Sequence, residues 1–228
     1  MVEKSYKIIE GEESIQGSAA WLKFREGKIG ASQVAAILNE SPFQTKLELW
    51  EEIVFKQPKT KNKAMQRGND LEPKARAHVN GLNERFRFQP AVIQNLQYPY
   101  LMASLDGYYE NEQGKPHILE IKCPGKDGHS IALSGEIPKY YFPQLQYQME
   151  MVGVEHMLYF SYDGEEGKII LCNRDEDYCK KMMKEIHEFY QSIIDFKPPL
   201  PTSRDWVEVA DPDMIVKSFR YKQLQMLS

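Results

Sequence analysis

Two carboxylates and one amine in this 228-residue chain are spaced as a reactive group would need them. Asp106 lies within Ser104-Leu105-Asp106-Gly107, and Glu120-Ile121-Lys122 follows, with Glu120 fourteen residues beyond Asp106. Successive side chains of a strand point to opposite faces. In His117-Ile118-Leu119-Glu120-Ile121-Lys122 that alternation sends Leu119 and Ile121 to one face and Ile118, Glu120 and Lys122 to the other. Burying Leu119 and Ile121 leaves Glu120 and Lys122 side by side on the opposite face. Asp106 ends the preceding apolar run at a Gly turn, and it reaches the same spot if the two segments pair as a hairpin. Carboxylate oxygens are hard ligands that suit Mg²⁺ or Mn²⁺. A neighbouring ammonium can position a water or stabilise charge on a phosphate. The chemistry such a trio would do is metal-assisted hydrolysis of a phosphate ester. Taken alone, Glu-x-Lys on a strand reads more readily as a solvated, salt-bridging face, and Asp-Gly as an ordinary turn.

Adjacent strands and covering helices must hold such a trio, and the sequence supplies an α/β (α+β) pattern. Residues 14–24 read as a helix, residues 32–38 as a second capped by Ser32, and residues 45–55 as a third, with Leu47, Leu49, Trp50, Ile53 and Val54 apolar. Lys56, Lys59, Lys61 and Lys63 form a loop broken by Pro58, before a fourth helix over residues 64–79. Strands are expected at residues 85–89, 101–108 and 118–122. A helix over 138–151 precedes a hairpin of 156–162 and 168–173 across Asp163-Gly164. The last helix, 176–196, carries Met182, Ile186, Phe189 and Ile193 at core spacing. Glu72 adds a third acid. It precedes Pro73, which is costly inside a helix and so marks a start or kink there; a first-turn acid favoured by the helix dipole is the plainer reading of Glu72.

At this length and 42% hydrophobic content, a single domain with a substantial core is expected. No apolar run reaches about 18 residues and no signal-peptide core opens the chain, so a soluble, intracellular protein is expected. Cys123, Cys172 and Cys179 are odd in number with no CxxC pair, and His78, His117, His129, His156 and His187 show no ligand spacing. A net charge of −4 argues against a uniformly basic DNA-coating protein, yet a basic channel can coexist with an acidic exterior.

The strand carrying Glu120 follows a loop at 111–116, ends in Cys123-Pro124-Gly125, and is followed by an apolar, Gln-rich helix. With Trp21-Leu22-Lys23-Phe24-Arg25, Gly30-Ala31-Ser32, Arg67-Gly68 through Glu72, Ser104-Leu105-Asp106-Gly107 and Pro143-Gln144-Leu145-Gln146-Tyr147, the order and spacing resemble the phage lambda-type 5′→3′ exonucleases. These are also called YqaJ-like viral recombinases, within the PD-(D/E)xK nuclease superfamily. The resemblance spans roughly residues 17–197. One departure is Leu105, where the family usually has Pro, which puts the stiffness of that loop in question.

The resemblance implies a restriction-endonuclease-like core, a central mixed sheet flanked by helices. It implies one exonuclease domain over residues 1–202. The C-terminal extension, 203–228, is less well covered by the resemblance; there Trp206, Val207, Val209, Met214, Ile215, Val216, Phe219 and Leu224 are mixed with charges, as suits packing on a neighbouring subunit or a partner. Asp106, Glu120 and the carbonyl of Ile121 would ligate metal, with Glu72 completing the acidic cluster. Lys122 would orient and help deprotonate water, and Gln144 would hold the site from the following helix. Arg25, Ser32 and Ser104 would bind a terminal 5′-phosphate, for which a guanidinium fork and hydroxyls are apt. Two Mg²⁺, replaceable by Mn²⁺, would bracket the phosphate. The implied activity is processive 5′→3′ digestion of double-stranded DNA ends, releasing mononucleotides and leaving 3′ tails. Implied partners are two further copies in a trimeric ring, with Lys56 to Lys63 as candidates to line its channel, and a single-strand annealing protein. The implied setting is the cytoplasm of a bacterial host, with the gene carried by a phage or prophage. Two alternatives remain: another nuclease of the superfamily, RecB-like or restriction-type, and a catalytically silent DNA-end-binding module.

Overall fold

The computed structural model describes residues 4–57, 63–208 and 217–219. In chain order its elements are β1 (Tyr6–Ile9), α1 (Ala19–Arg25), β2 (Ile29–Gly30), α2 (Val34–Ile37), α3 (Lys46–Val54), α4 (Lys63–Leu82), β3 (Gln89–Asn95), β4 (Leu101–Glu110), β5 (Pro116–Lys122), α5 (Lys126–Leu133), α6 (Phe142–Val152), β6 (His156–Tyr162), β7 (Gly167–Asn173), α7 (Glu176–Ile194), β8 (Trp206–Glu208) and β9 (Lys217–Phe219). Strands β1 to β7 form one mixed sheet in the order β1-β3-β4-β5-β6-β7, and β2 lies beside β4. The β5–β6 and β2–β4 pairs are parallel and the others antiparallel. This is the expected α+β core, a mixed sheet flanked by helices.

Both faces of the sheet are covered. The larger core lies under α2, α3, α6 and α7, where Leu101, Ala103, Leu105 and Ile118 meet Val34, Leu49, Leu145 and Met182. On the other face Ala75 and Val79 of α4 pack on Leu119, Ile121, Phe88 and Phe160, and Trp21 of α1 packs on Val92 and Met102. The alternation along β5 therefore holds, but the Glu120 face is not open: α6 covers it and Glu120 is 2% exposed.

Local chemistry explains several boundaries. Thr45 accepts the Glu48 N–H while Glu48 accepts that of Thr45, a reciprocal cap that starts α3. Ser32 is not the cap of α2. Residues 31–33 form a 3₁₀ turn in which the Gln33 side chain accepts the Gly30 N–H, and Ser32 is exposed. Helix α4 runs through Pro73 without starting there. The hydrogen bond lost at Pro73 is offset by packing of Ala75 and Val79 immediately after it. The strand expected at 85–89 lies at β3 instead. Asn80 donates to the Phe88 carbonyl and accepts the Phe88 N–H, taking the bonds a strand partner would use. Strand β1 and helix α5 have no counterpart in the sequence reading.

The C-terminal segment folds back before it leaves the described residues. Thr45 donates to Asp205, which also accepts from the Thr202 N–H and hydroxyl. Val209, Met214, Ile215, Val216 and Leu224 lie outside the described residues, as do Lys59 and Lys61 of the lysine-rich loop. Lys56 of that loop is paired with Glu26.

Candidate active site

The site is made by a fork in the sheet. Strands β4 and β5 pair from Glu110↔Pro116 to Gly107↔Leu119 and then separate, while β2 takes the same edge of β4 further on, at Leu101 and Met102. Tyr147 of α6, fully buried, donates to the carbonyls of both Ile29 and Met102 and pins β2 to β4. Residues 103–106 of β4 thus face a gap between β2 and β5.

A β-bulge aims Asp106 into that gap. In the β3–β4 ladder Gln89 opposes Tyr108 but Ala91 opposes Leu105, so Asp106 and Gly107 together oppose Pro90. Proline has no N–H to give the ladder, and bulges redirect side chains. Asp106-Gly107 is therefore not the expected turn but an irregularity inside a ten-residue strand. Leu105 likewise lies within the strand and is 2% exposed, so no loop depends on its stiffness. The Asp106 carbonyl, left by the bulge, accepts from Arg76 Nε at 2.5 Å. Asp106 Oδ2 accepts the Ile121 N–H at 2.8 Å, replacing a ladder bond with a side-chain bond. Gly107 leaves no room for a side chain, because a Cβ there would sit 2.9 Å from the Cβ atoms of Leu119 and Phe88.

Glu120 is held by three donors: Lys122 Nζ and Gln144 Nε2, each 2.5 Å from Oε1, and Gln148 Nε2, 2.7 Å from Oε2. Lys122 also lies 5.1 Å from the centre of the Tyr141 ring, a cation–π distance. Glu72, on α4, is paired with Arg76 one turn on.

The charges are tightly linked. Burial raises the Asp106 carboxyl well above its ordinary range, and the charges of Glu120 and Glu72 raise it further. Burial also raises Glu72, with Arg76 opposing and Glu120 adding to the rise. For Lys122, burial works against the ammonium, but Glu120 and Asp106 outweigh it and hold the group above its ordinary value. Among the described residues, no three His, Cys, Asp or Glu side chains close into a ready cage. The geometry explains this: Glu72 leans on Arg76, and Glu120 on Lys122 and two glutamines.

Of the expected phosphate-binding residues, two converge on Trp21. The Arg25 guanidinium lies 5.2 Å from the Trp21 ring centre, and Trp21 Nε1 donates to Ser104 Oγ at 3.2 Å. Burial lowers the Arg25 pKa, with Glu52 opposing. Ser32 is exposed just beyond the end of β2. Ser104 and Asp106 sit two residues apart on β4, so this pair adjoins the acids.

Three contributors escaped the sequence reading, Gln148, Arg76 and Tyr141, and Arg67 entered it only as part of a motif, without a role. Arg67 donates to the carbonyls of Cys123 and Pro124, at 3.0 and 2.7 Å, and to that of Asp163, fastening the chain just past Lys122. The only local signal lay in the i,i+4 pairs Glu72/Arg76 and Gln144/Gln148, which share a helix face.

Comparison with known proteins bears on the family and the fold. Residues 20–155 match the model of the YqaJ-like viral recombinase domain. The fold resembles the alkaline exonuclease LHK-Exo from Laribacter hongkongensis, with a TM-score of 0.67 and 24% identity over 78% of this chain and 94% of that one. The same enzyme in complex with dAMP superposes with a TM-score of 0.68. A phage-related exonuclease from Haemophilus somnus 129PT gives 0.50 at 13% identity, over 74% of this chain and 96% of that one. No curated protein sequence matches the chain. The match to the domain model covers more than half of the sequence, from the helix carrying Arg25 to the one carrying Gln144 and Gln148, and so the protein belongs to the YqaJ-like viral recombinase family.

Proposed function

We propose that this protein is a metal-dependent nuclease that hydrolyses double-stranded DNA from 5′-phosphorylated ends, 5′→3′, releasing mononucleotides. The observation that carries the reading is the gathering of Asp106, Glu120 and Lys122 at the β4–β5 fork, with Glu72 charge-coupled to them. Surplus negative charge among buried carboxylates is what a hard divalent cation neutralises, and an all-oxygen donor set suits Mg²⁺ or Mn²⁺. Asp106, Glu120, the Ile121 carbonyl and Glu72 would hold one ion or two. When bound, such ions supply Lewis acidity to a phosphate and acidify water.

The protein's own groups then have distinct tasks. Lys122 offers charged N–H groups that orient a water and balance charge building on the phosphate, and it accepts a proton only as its carboxylate partners are neutralised. Gln144 and Gln148 fix the Glu120 rotamer. Arg25, stiffened by Trp21, and Ser104 bind the terminal phosphate, with Ser32 brought to them by the DNA end. Binding that end beside the acids selects exonucleolytic over internal cleavage. Processivity would come from enclosure of DNA by a trimer, and the 3′ tail would pass to an annealing protein; sedimentation showing monomer alone at working concentration counts against the ring. The deciding experiment is digestion of linear and closed circular duplex, labelled at each terminus where linear, with and without Mg²⁺. Mononucleotides released from 5′-phosphorylated ends only with metal support the reading. Cleavage of circles, or none of either, removes it.

A further inference from the structure

Phe43 is a large apolar side chain left 76% exposed, yet the loop that displays it is firmly braced. Ser41 Oγ accepts the N–H groups of Phe43 and Gln44 at 3.1 and 3.2 Å. Arg204 donates to the carbonyls of Ser41 and Pro42 at 2.6 and 3.1 Å, and the cap of α3 begins at Thr45, itself bonded to Asp205. A single exposed Phe is unremarkable on a loose loop; here its position is fixed from both sides.

The ring also leads somewhere. Phe43 meets Tyr140 edge-to-face at 5.3 Å, Tyr140 meets Tyr141 at 4.4 Å, and Tyr141 lies 5.1 Å from Lys122 Nζ. A continuous run of aromatic rings thus joins the protein surface to the candidate catalytic lysine. Resting on the nuclease reading above, we propose that Phe43, backed by Tyr140, is a stacking platform for an unpaired base of the strand whose phosphate reacts beside Lys122. Every base has a π-face, and stacking on an aromatic ring is tolerant of sequence, as an enzyme digesting any DNA requires. One ring matches the face of one base, whereas a protein partner needs roughly 800 Å² on each side. Preorganisation by Ser41 and Arg204 lowers the entropic cost of using the ring.

The test compares wild type, F43A, F43L and F43W on 5′-phosphorylated linear duplex in Mg²⁺, with the terminal nucleotides intact or abasic. Phe43 is exposed, so these variants fold. F43A and F43L should lower kcat/KM on intact ends by roughly 5- to 150-fold, the range for loss of one stacked base. F43W should keep the wild-type rate, and abasic ends should be digested alike by all four. Equal rates for F43A and wild type on intact ends overturn the platform while leaving the nuclease reading in place. A change in sedimenting mass of F43A with unchanged kcat/KM also overturns it, in favour of a contact between copies. Failure of wild type to hydrolyse DNA removes the nuclease reading and the platform with it.

Discussion

Replacing Asp106 by Asn is expected to stabilise the metal-free protein while silencing it. Asp106, Glu72 and Glu120 bring three negative charges against the two positive charges of Lys122 and Arg76, which leaves one negative charge uncompensated in buried surroundings. Asn keeps an oxygen to accept the Ile121 N–H, now bonded to Asp106 at 2.8 Å, and it has nearly the same volume. Removing an uncompensated buried charge is worth on the order of 1–3 kcal/mol. For a chain of this size that raises Tm by about 3–10 °C. The sign with pH follows from the raised Asp106 pKa, caused first by burial and then by Glu120 and Glu72. The folded state binds that proton more tightly than the unfolded state does. The contribution of Asp106 to metal-free stability is therefore fully present below the ordinary carboxylate range and is lost as pH rises through the raised folded value. Thermal unfolding in EDTA from about pH 5 to about pH 9 should show this fall in wild type and a weaker one in the Asn variant. Mg²⁺ should stabilise wild type most at the alkaline end and the variant much less. An Asn variant less stable than wild type at alkaline pH in EDTA, with an undiminished response to Mg²⁺, would refute the charge argument.

Three other perturbations test separate parts of the site. Lys122→Ala should abolish hydrolysis and leave binding to DNA ends largely intact, read by gel shift beside a digestion assay; undiminished cleavage removes Lys122 from the mechanism. Arg25→Ala should erase a preference for 5′-phosphorylated over 5′-hydroxyl ends that wild type shows, because the guanidinium stacked on Trp21 is lost. Equal rates on the two ends in wild type would dismiss the pocket. Gly107→Ala should cost about 1–3 kcal/mol in urea unfolding, since its Cβ would lie 2.9 Å from those of Leu119 and Phe88; an unchanged midpoint would mean the bulge relaxes freely.

What could be read along the chain was local chemistry. Alternation in residues 117–122 separated Leu119 and Ile121 from Glu120 and Lys122, and the structure keeps that separation. Helical spacing placed Met182, Ile186 and Phe189 in the core. Residue types alone left Asp106, Glu120 and Lys122 open to an ordinary turn and a salt-bridging strand face; the order and spacing of the motifs around them carried the hydrolytic reading.

Tertiary structure decided the rest. That Asp106-Gly107 is a bulge and not a turn depends on Pro90 of a different strand, and the fork depends on β2 taking the edge that β5 leaves. Burial of Glu120, its hold by Gln148, and the link of Arg76 to the Asp106 carbonyl arise only when α6 and α4 close on opposite faces of the sheet. Periodicity reports which way a side chain points relative to its neighbours along the chain. It does not report which distant backbone will supply or withhold a hydrogen bond, and at this site those non-local bonds aim the carboxylates.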